Sequence, residues 1–317
     1  LKNLNPKTTL THCFEMFHKS ALEHQDQTIK ENPNWVIESI DDSLYKQTYF
    51  IPTENKTKES IYKEVQNHIY KEYFMQHFKI FIDLTRINKP IGFMLLFWPC
   101  SWGLAYAYFN NTNLNLFLYY LLLFFLGSVI MRSAGCIFND IVDKDYDKKV
   151  KRTKKRPIAA GKISIGHSFT YVAFLCALAF LILIQFNFLT IILGLGSMFL
   201  AFSYPFMKRI TYWPQLFLGI TFNWGIIMAW AAMNIEISSD IIILYVSAIF
   251  WTLGYDTIYG VQDLADDEII GVKSTAIKFK KRIKLFVSCT YLISILLIVG
   301  VFNNEFGFNI FSSLLRF

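Results

Sequence analysis

Charged side chains are scarce in this sequence. Only 17% of its 317 residues are Asp, Glu, Lys or Arg, against about a quarter in an average soluble domain. Residues 91–131 and 163–207 contain none at all. With 54% hydrophobic and 17% aromatic residues, the composition excludes a disordered chain, a basic nucleic-acid-binding tail and an average cytosolic enzyme.

Cysteine and histidine do not form any recognisable site either. The five cysteines form no Cys-x-x-Cys pair, and five of the six histidines precede residue 80 without the spacing of zinc ligands. A disulfide framework and a zinc site are therefore not expected, and the cysteines are interpreted as reduced packing residues.

The stretches without charge are long and apolar. Because about 20 apolar residues cross a bilayer as a helix, each charge-free stretch predicts two membrane spans. Further single spans are predicted at 210–235, 241–259 and 285–304. This makes seven spans, and residues 306–317 have the character of the beginning of an eighth.

The loop charges predict how the spans are oriented. Among the connections that precede or join the spans, Lys and Arg occur before span one and between spans two and three, four and five, and six and seven. The intervening connections contain neither residue type, which is the positive-inside pattern. The +7 net charge arises entirely after residue 89, since residues 1–89 carry 12 basic and 12 acidic residues.

The acidic residues that remain are clustered on the basic face. Nine of the 12 acids after residue 89 lie in two short segments. In the first, Asp140, Asp143 and Asp147 have the spacing i, i+3 and i+7, so a helix continuing from span two would carry them on one face. In the second, the spacing i, i+3, i+7 and i+11 is held by Asp256, Tyr259, Asp263 and Asp267.

Two opposed carboxylate faces favour a cation and phosphate site. Clustered carboxylates repel each other unless a cation lies among them, and hard oxygen ligands suit Mg²⁺, which also bridges to phosphate oxygens. Neighbouring Lys and Arg would neutralise the remaining phosphate charge. The alternative is that each segment is a solvated helix end, and that its carboxylates are attracted to the lysine-rich loops only at the surface.

The motifs resemble those of a known family. Asn139-Asp140-x-x-Asp143-x-x-x-Asp147 and Asp263-x-x-x-Asp267 resemble the two aspartate-rich motifs of the UbiA superfamily of intramembrane aromatic prenyltransferases. Flanking segments resemble its 4-hydroxybenzoate polyprenyltransferase branch; these are 86–92, 96–100, 152–161, 204–209, 218–225 and 271–276. The resemblance covers residues 80–300.

The resemblance implies a fold and a domain organisation. It implies that residues 81–317 form an all-α bundle of transmembrane helices around a central cavity. The family has nine spans, and this chain has about seven and a half. Residues 1–80 lie outside it. They read as a polar N-terminal extension, partly disordered or folded as an amphipathic helix on the membrane.

The resemblance also implies an activity. The family member would transfer a polyprenyl group from polyprenyl diphosphate to the ring of 4-hydroxybenzoate, ortho to the hydroxyl, with Mg²⁺ assisting loss of diphosphate. The implied magnesium ligands are Asn139, Asp140, Asp143, Asp147, Asp263 and Asp267. Of these, Asp140, Asp143, Asp263 and Asp267 are implied to be catalytic. Candidate substrate-binding residues are Asn139, Arg86, Arg152, Arg156, Tyr204, Lys208, Arg209, Asp256 and Lys273.

Some of these residues have a simpler interpretation. Lys208 and Arg209 could serve only as a basic pair that fixes the orientation of the span in the membrane. In the functional interpretation, Arg209 binds the benzoate carboxylate through its two-pronged guanidinium. Tyr204 and Tyr259 equally suit interfacial anchors. Arg132 lies within span two, where a charge is a functional candidate by default, with snorkelling as the alternative.

The resemblance also implies partners and a location. The expected partners are the lipid bilayer, polyprenyl diphosphate and 4-hydroxybenzoate. Association with other ubiquinone-biosynthesis proteins is left open, and no nucleic acid is expected to bind. The expected location is the mitochondrial inner membrane, with the basic loops and Asp motifs on the matrix side, or alternatively a bacterial plasma membrane. Competing functions are prenyl transfer to homogentisate, a naphthoate, haem or a chlorophyllide precursor, cation transport, or an inactive scaffold.

Overall fold

A computed structural model describes residues 34–38, 48–52, 58–234 and 236–306. The chain divides into two compact units, residues 1–77 and 78–317. In the first unit, β1 (Asn34–Glu38) pairs antiparallel with β2 (Thr48–Pro52), with Val36 opposite Phe50. These strands were not predicted from the sequence, although both are rich in β-branched and aromatic residues.

The rest of the described chain is helical. The helices are α1 (Lys58–Thr85), α2 (Pro90–Asn110), α3 (Leu114–Val142), α4 (Lys144–Asp147), α5 (Ile165–Leu183), α6 (Phe188–Ile210), α7 (Pro214–Met233), α8 (Ser239–Gly260), α9 (Leu264–Ile270), α10 (Thr275–Lys278) and α11 (Ile283–Phe306). A 3₁₀ turn, Val261–Asp263, joins α8 to α9.

Seven of these helices, α2, α3, α5, α6, α7, α8 and α11, are long and apolar enough to cross a membrane. The predicted number of spans and the all-α membrane bundle are therefore confirmed. The predicted start of an eighth span falls on residues 307–317, outside the described residues. The side chains that would define the amphipathic helix, such as Ile61 and Val65, also lie outside the description.

Polar caps explain where several spans begin. The side chains of Asn113, Ser164, Asn187 and Ser238 each accept a hydrogen bond from the backbone N–H three residues later. Each cap satisfies one of the amide groups that a helix start leaves without a partner. Spans α2 and α7 instead begin with proline, whose fixed φ and missing N–H suit a first helical turn.

The centre of the bundle is formed by α2, α7 and α8. Leu104, Ile226 and Ile241 have no exposed surface and belong to one apolar cluster. At Gly103, a Cβ would collide with the backbone carbonyl of Ile226, so only glycine allows α2 to approach α7 this closely. The buried Asn223 amide donates to Ala248 O on α8 at 3.1 Å, which ties α7 to α8.

The ends of α3 and α8 carry the two acidic segments. The structure does not continue α3 through the first segment as one helix, because α3 ends at Val142 and Asp143 leaves the helical conformation (φ −91°, ψ 3°) before α4 begins. Similarly, α8 gives way to the 3₁₀ turn that ends at Asp263. The expectation of an unbroken helix through each segment is therefore wrong, although Asp143, Asp147, Asp263 and Asp267 all line one cavity.

Candidate active site

Both acidic segments border the same cavity. Its volume is about 190 Å³, and Asn139, Asp143 and Asp147 line it from the first segment. Asp263 and Asp267 line it from the second. The other predicted site residues in its wall are Arg152, Arg156, Tyr204 and Lys208. The structure thus brings together most of the residues that the sequence singled out.

Asp140 lies behind this wall, paired with two arginines. Its carboxylate is 1% exposed and accepts hydrogen bonds from Arg86 and from Arg156, the latter at 3.0 Å. The same Arg156 nitrogen donates to Asp147 Oδ2 at 2.8 Å. Arg156 therefore bridges two carboxylates of the first segment.

The backbone of Arg86 is held in an unusual conformation. Its φ is +53°, the left-handed region that a non-glycine residue seldom adopts. Ile80 and Leu84, at the end of α1, are buried in one cluster with Ala134 and Ile137 of α3. This packing brings the end of α1 beside Asp140, and the left-handed turn directs the Arg86 guanidinium to it.

Asp143 is paired with the basic residues at the end of α6. Lys208 Nζ donates to Asp143 Oδ2, and Arg209 Nη2 lies 3.6 Å from Asp143 Oδ1. Arg209 also donates to Val142 O at 2.6 Å, and its guanidinium lies 4.9 Å from the ring centroid of Tyr146. Arg209 is thus largely engaged by α3 and α4.

A two-pronged ion pair links the second segment to the connection between α4 and α5. Arg152 Nε lies 3.0 Å from Asp263 Oδ1, and Arg152 Nη2 lies 2.5 Å from Asp263 Oδ2. The hydrogen bond with Asp263 raises the pKa of Arg152, so the guanidinium stays charged. This pair spans the cavity between elements that are 111 residues apart in sequence.

The crowded carboxylates retain unused acceptor capacity. Burial raises the pKa of Asp147, and the charges of Asp140 and Asp143 raise it further, although Arg156 opposes the shift. Asp140 Oδ2 and Asp143 Oδ1 are buried and have no hydrogen-bond partner among the residues that the structure describes. These two oxygens, with the other carboxylates and the Asn139 amide, form the hard oxygen donor set that Mg²⁺ prefers.

The carboxylates are held by basic side chains rather than gathered into a metal cage. Within the part of the chain that the structure describes, no three Asp, Glu, His or Cys side chains already have the arrangement of a metal site. Four carboxylates, those of Asp140, Asp143, Asp147 and Asp263, form ion pairs with Arg86, Arg152, Arg156, Lys208 and Arg209. The donor set fits Mg²⁺ provided that these basic groups shift toward an incoming anion.

Besides Arg86, Asp140 and Arg209, the predicted site residues Asp256 and Lys273 do not line the cavity, and neither does Tyr259 of the second segment. Tyr259 is 53% exposed, and Lys273 Nζ donates to Ile210 O at 3.1 Å. Asp256 lies within span α8, outside the lining of the cavity. Lys273 also donates its backbone N–H to Lys208 O at 2.9 Å, so its main contribution is to join the connection after α9 to the end of α6.

The structure adds residues that the sequence did not mark. Tyr146 lines the cavity and stacks on Arg209, and the buried Thr153 hydroxyl donates to Asp147 O at 3.0 Å. Tyr146 lies inside the first acidic segment, so its position was a signal that could have been used. Thr153 lies in a lysine-rich loop with nothing in the local sequence to distinguish it.

Comparisons with known proteins show which proteins this chain is similar to. Residues 96–315 match the UbiA prenyltransferase family. The chain is 46% identical over 211 residues to the mitochondrial 4-hydroxybenzoate polyprenyltransferase of Caenorhabditis elegans, covering 66% of this chain and 59% of that protein. It is 45% identical over 228 residues to the protein of the same name from Homo sapiens, covering 71% and 61%. The chain therefore spans about 60% of the length of these curated relatives.

Solved structures share the fold. A UbiA homolog from Aeropyrum pernix K1 superposes with a TM-score of 0.58 at 23% identity, covering 68% of this chain and 80% of that one. A UbiA homolog from Archaeoglobus fulgidus bound to GPP and Mg²⁺ superposes with a TM-score of 0.56 at 18% identity, covering 70% and 77%. At this identity the likeness shows the fold alone. The family match extends over more than two thirds of the sequence, and the chain belongs to the UbiA prenyltransferase family.

Proposed function

We propose that this protein transfers a polyprenyl group from polyprenyl diphosphate to the aromatic ring of 4-hydroxybenzoate, ortho to its hydroxyl, in ubiquinone biosynthesis. The observation that carries the proposal is the convergence of two acidic segments and three basic side chains, those of Arg152, Arg156 and Lys208, on one cavity. The names of the curated relatives support this acceptor, and the neighbour bound to GPP and Mg²⁺ supports this donor class.

The proposed metal ligands are Asn139, Asp140, Asp143, Asp147, Asp263 and Asp267. When bound, Mg²⁺ would neutralise the leaving diphosphate, which lowers the barrier to breaking an allylic C–O bond. Arg152, Arg156 and Lys208 line the cavity and present the N–H groups that phosphate oxygens accept. Arg86 is assigned to hold Asp140, with which it forms an ion pair.

The basic residues have a second role in this proposal. Before substrate enters, their ion pairs keep the carboxylates from repelling one another. When a diphosphate binds, the same guanidinium and ammonium groups can turn from carboxylate to phosphate over a short distance. The cavity thereby exchanges one set of charge-assisted hydrogen bonds for another and never exposes an unpaired buried charge.

Arg132 is the proposed contact for the acceptor carboxylate. It lies within span α3, and its guanidinium carbon lies 5.3 Å from the ring centroid of Phe222. Within the described part of the chain, its buried Nε has no hydrogen-bond partner. A buried donor left without an acceptor carries a free-energy cost that an acidic ligand would remove. Arg209, the residue first considered for this role, stays a prediction and has fewer donors to offer because Val142 O and Asp143 engage it.

Location and partners are part of the same proposal. The relatives are named as mitochondrial proteins, which supports a mitochondrial membrane. The positive-inside pattern supports an orientation with the basic loops and both acidic segments on the matrix side of the inner membrane. Association with other ubiquinone-biosynthesis proteins is proposed from the activity alone.

The deciding experiment is product analysis by mass spectrometry. The purified chain, in lipid nanodiscs with Mg²⁺, is given a mixture of prenyl diphosphates with 4-hydroxybenzoate, homogentisate and a naphthoate. A 3-polyprenyl-4-hydroxybenzoate product that requires Mg²⁺ and is absent from the Asp140→Ala/Asp263→Ala variant supports the proposal. Prenylation of another acceptor alone would refute the acceptor assignment, and turnover by the double variant would refute the site.

A further inference from the structure

Two arginines in the connection between α4 and α5 hold different acidic segments. Arg152 forms the two-pronged pair with Asp263 of the second segment. Arg156 bridges Asp140 and Asp147 of the first segment at 3.0 and 2.8 Å. Both arginines also line the cavity. A diphosphate in the cavity could therefore be contacted by both guanidinium groups, provided that the backbone carrying them keeps a fixed position.

Thr153 is a buried polar residue between these two arginines. It is 5% exposed, whereas the neighbouring Lys151, Lys154 and Lys155 are exposed. Its hydroxyl donates a hydrogen bond to the backbone carbonyl oxygen of Asp147 at 3.0 Å. That carbonyl lies at the end of α4, where a helix leaves its last carbonyl groups without helical partners. The contact therefore satisfies a helix end and ties the connection to the first acidic segment.

The backbone around Thr153 connects this contact to both arginines. The Thr153 N–H donates to Val150 O at 3.1 Å, and the Arg156 N–H donates to Thr153 O at 2.9 Å. Arg152 directly precedes Thr153 in the chain. A displacement of the Thr153 backbone would therefore move the Cα atoms of both arginines. The hydroxyl thus fixes the point from which each guanidinium extends, relative to Asp147.

The Thr153 hydroxyl is not available as a direct donor to phosphate. A threonine hydroxyl has one hydrogen, and a carbonyl oxygen can only accept, so that hydrogen is used on Asp147 O. The oxygen retains only lone pairs, which would repel phosphate oxygens. Although Thr153 lines the cavity, its contribution to anion binding is therefore indirect.

We propose that Thr153 is a positioning residue. By bonding to Asp147 O, it holds Arg152 and Arg156 at the separation at which both contact one diphosphate, and it thereby favours a diphosphate over a single phosphate group. A single phosphate needs only one of the two guanidinium groups, whereas a diphosphate presents acceptors to each. This inference rests on the proposed function, because it assigns a task to Thr153 within the donor site. Thr153 acts through the arginines and does not touch the reacting atoms.

The test compares a diphosphate with a phosphate ligand. The full chain in nanodiscs, at fixed Mg²⁺, transfers the prenyl group to 4-hydroxybenzoate with inorganic diphosphate or inorganic phosphate added as a competitor. Thr153→Val keeps the shape of the side chain and removes the hydroxyl. We expect the KM for prenyl diphosphate and the inhibition constant of diphosphate to rise about tenfold, equivalent to about 1.4 kcal/mol. The inhibition constant of phosphate, the kcat and the KM for 4-hydroxybenzoate should change less than about threefold.

Matched variants separate the hydrogen bond from the shape of the side chain. Thr153→Ser keeps the hydroxyl, so constants within about threefold of the wild-type values are expected. Thr153→Cys is close to serine in size but is a weak donor, so its loss should lie nearer to that of Thr153→Val. Thr290→Val is the control elsewhere in the bundle, because Thr290 is buried and donates to Val287 O at 2.8 Å but does not line the cavity. It should leave both inhibition constants unchanged.

A double-variant cycle tests whether Thr153 acts through an arginine. Arg152→Lys removes one of the two guanidinium forks that the hydroxyl is proposed to position. Adding Thr153→Val to Arg152→Lys should therefore raise the KM for prenyl diphosphate by clearly less than the factor of about ten expected when Arg152 is present. The same rise in both backgrounds would mean that Thr153 acts independently of Arg152.

Several results would overturn the inference. These are additive effects in the cycle, equal weakening of diphosphate and phosphate, a loss in Thr153→Ser as large as in Thr153→Val, or a fall in kcat at unchanged KM. If Thr153→Val does not fold, judged by its melting curve, the comparison of Thr153→Ser with Thr153→Cys decides by the same ratio of inhibition constants. If the wild type forms no prenylated product, the proposed function fails, and calorimetric titration with inorganic diphosphate and phosphate still tests Thr153. Equal affinity of the wild type and Thr153→Val for diphosphate would then refute the positioning role.

Discussion

The two acidic segments are both rich in aspartate but lie in different environments. Asp140 and Asp143 of the first segment are each 1% exposed, whereas the side chain of Asp263 in the second is 20% exposed and that of Glu268 is 37% exposed. Each carboxylate of the first segment that lies in or behind the cavity wall is held by Arg or Lys. The first segment is therefore built into the fold, and the second closes over the cavity from a more solvated position.

The largest expected effect separates these two roles. Asp140→Asn should abolish prenyl transfer and lower the free energy of unfolding by about 3 kcal/mol, because Arg86 and Arg156 lose a buried partner. Asp263→Asn should reduce transfer to a similar extent but cost less than about 1 kcal/mol, because its pair with Arg152 is half in water. Product formation and urea or heat denaturation in the same nanodiscs measure both quantities.

The contrast depends on the stability difference and not on activity. Asn is isosteric with Asp, so neither variant creates a cavity that would confuse the comparison. If both variants unfold equally easily, the two segments do not differ in structural role. Retained transfer in Asp140→Asn would remove this carboxylate from the proposed catalytic set.

Metal and diphosphate should strengthen the link between the segments. Mg²⁺ added together with inorganic diphosphate, each well above its dissociation constant, should stabilise the wild-type chain by about 2 to 3 kcal/mol. Either addition alone should do less, because each would leave uncompensated charge beside the ion pairs. The measurement is the melting temperature before and after EDTA, and a gain that survives EDTA would argue against a metal-dependent site.

Much of the fold could be read from the sequence because the membrane simplifies the problem. Charge-free stretches and basic loops predicted all seven described spans, and the structure places their ends at recognisable caps such as Asn113 and Asn187. The hairpin formed by residues 34–38 and 48–52 was missed because the surrounding charge-balanced composition obscured two short strand patterns.

The site was less predictable, for physical reasons. Spacing identified Asp140, Asp143 and Asp147, but a helical period could not reveal that Asp143 leaves the helix. The partners of these residues come from distant parts of the chain: Lys208 is 65 residues from Asp143, and Arg152 is 111 residues from Asp263. Such pairings depend on helix packing, which no local pattern records.

A smaller effect is expected from Arg152, which links the second segment to the connection between α4 and α5. Arg152→Lys keeps the charge but loses the two-pronged contact with Asp263, since an ammonium group cannot match the guanidinium fork. The KM for prenyl diphosphate should rise about tenfold with little change in kcat. Steady-state kinetics at fixed Mg²⁺ measure this, with the KM for 4-hydroxybenzoate as the internal control; an equal rise in both would indicate a general disturbance of the fold.

The smallest expected effect lies in the second segment but outside the cavity. Lys280 Nζ donates to both carboxylate oxygens of Glu268 at 2.8 Å, and both side chains are solvated. Exposed pairs of this kind contribute little, so Lys280→Ala should change the free energy of unfolding by less than about 0.5 kcal/mol and leave both KM values unaltered. Because Lys280 and Arg152 are both solvent-exposed and each pairs with a carboxylate of this segment, Arg152→Ala is the matched variant. A larger rise in the KM for prenyl diphosphate in Arg152→Ala than in Lys280→Ala would mean that facing the cavity, and not the charge of the loop, determines function. Equal effects of the two Ala variants would instead mean that the basic loops act collectively through their net charge.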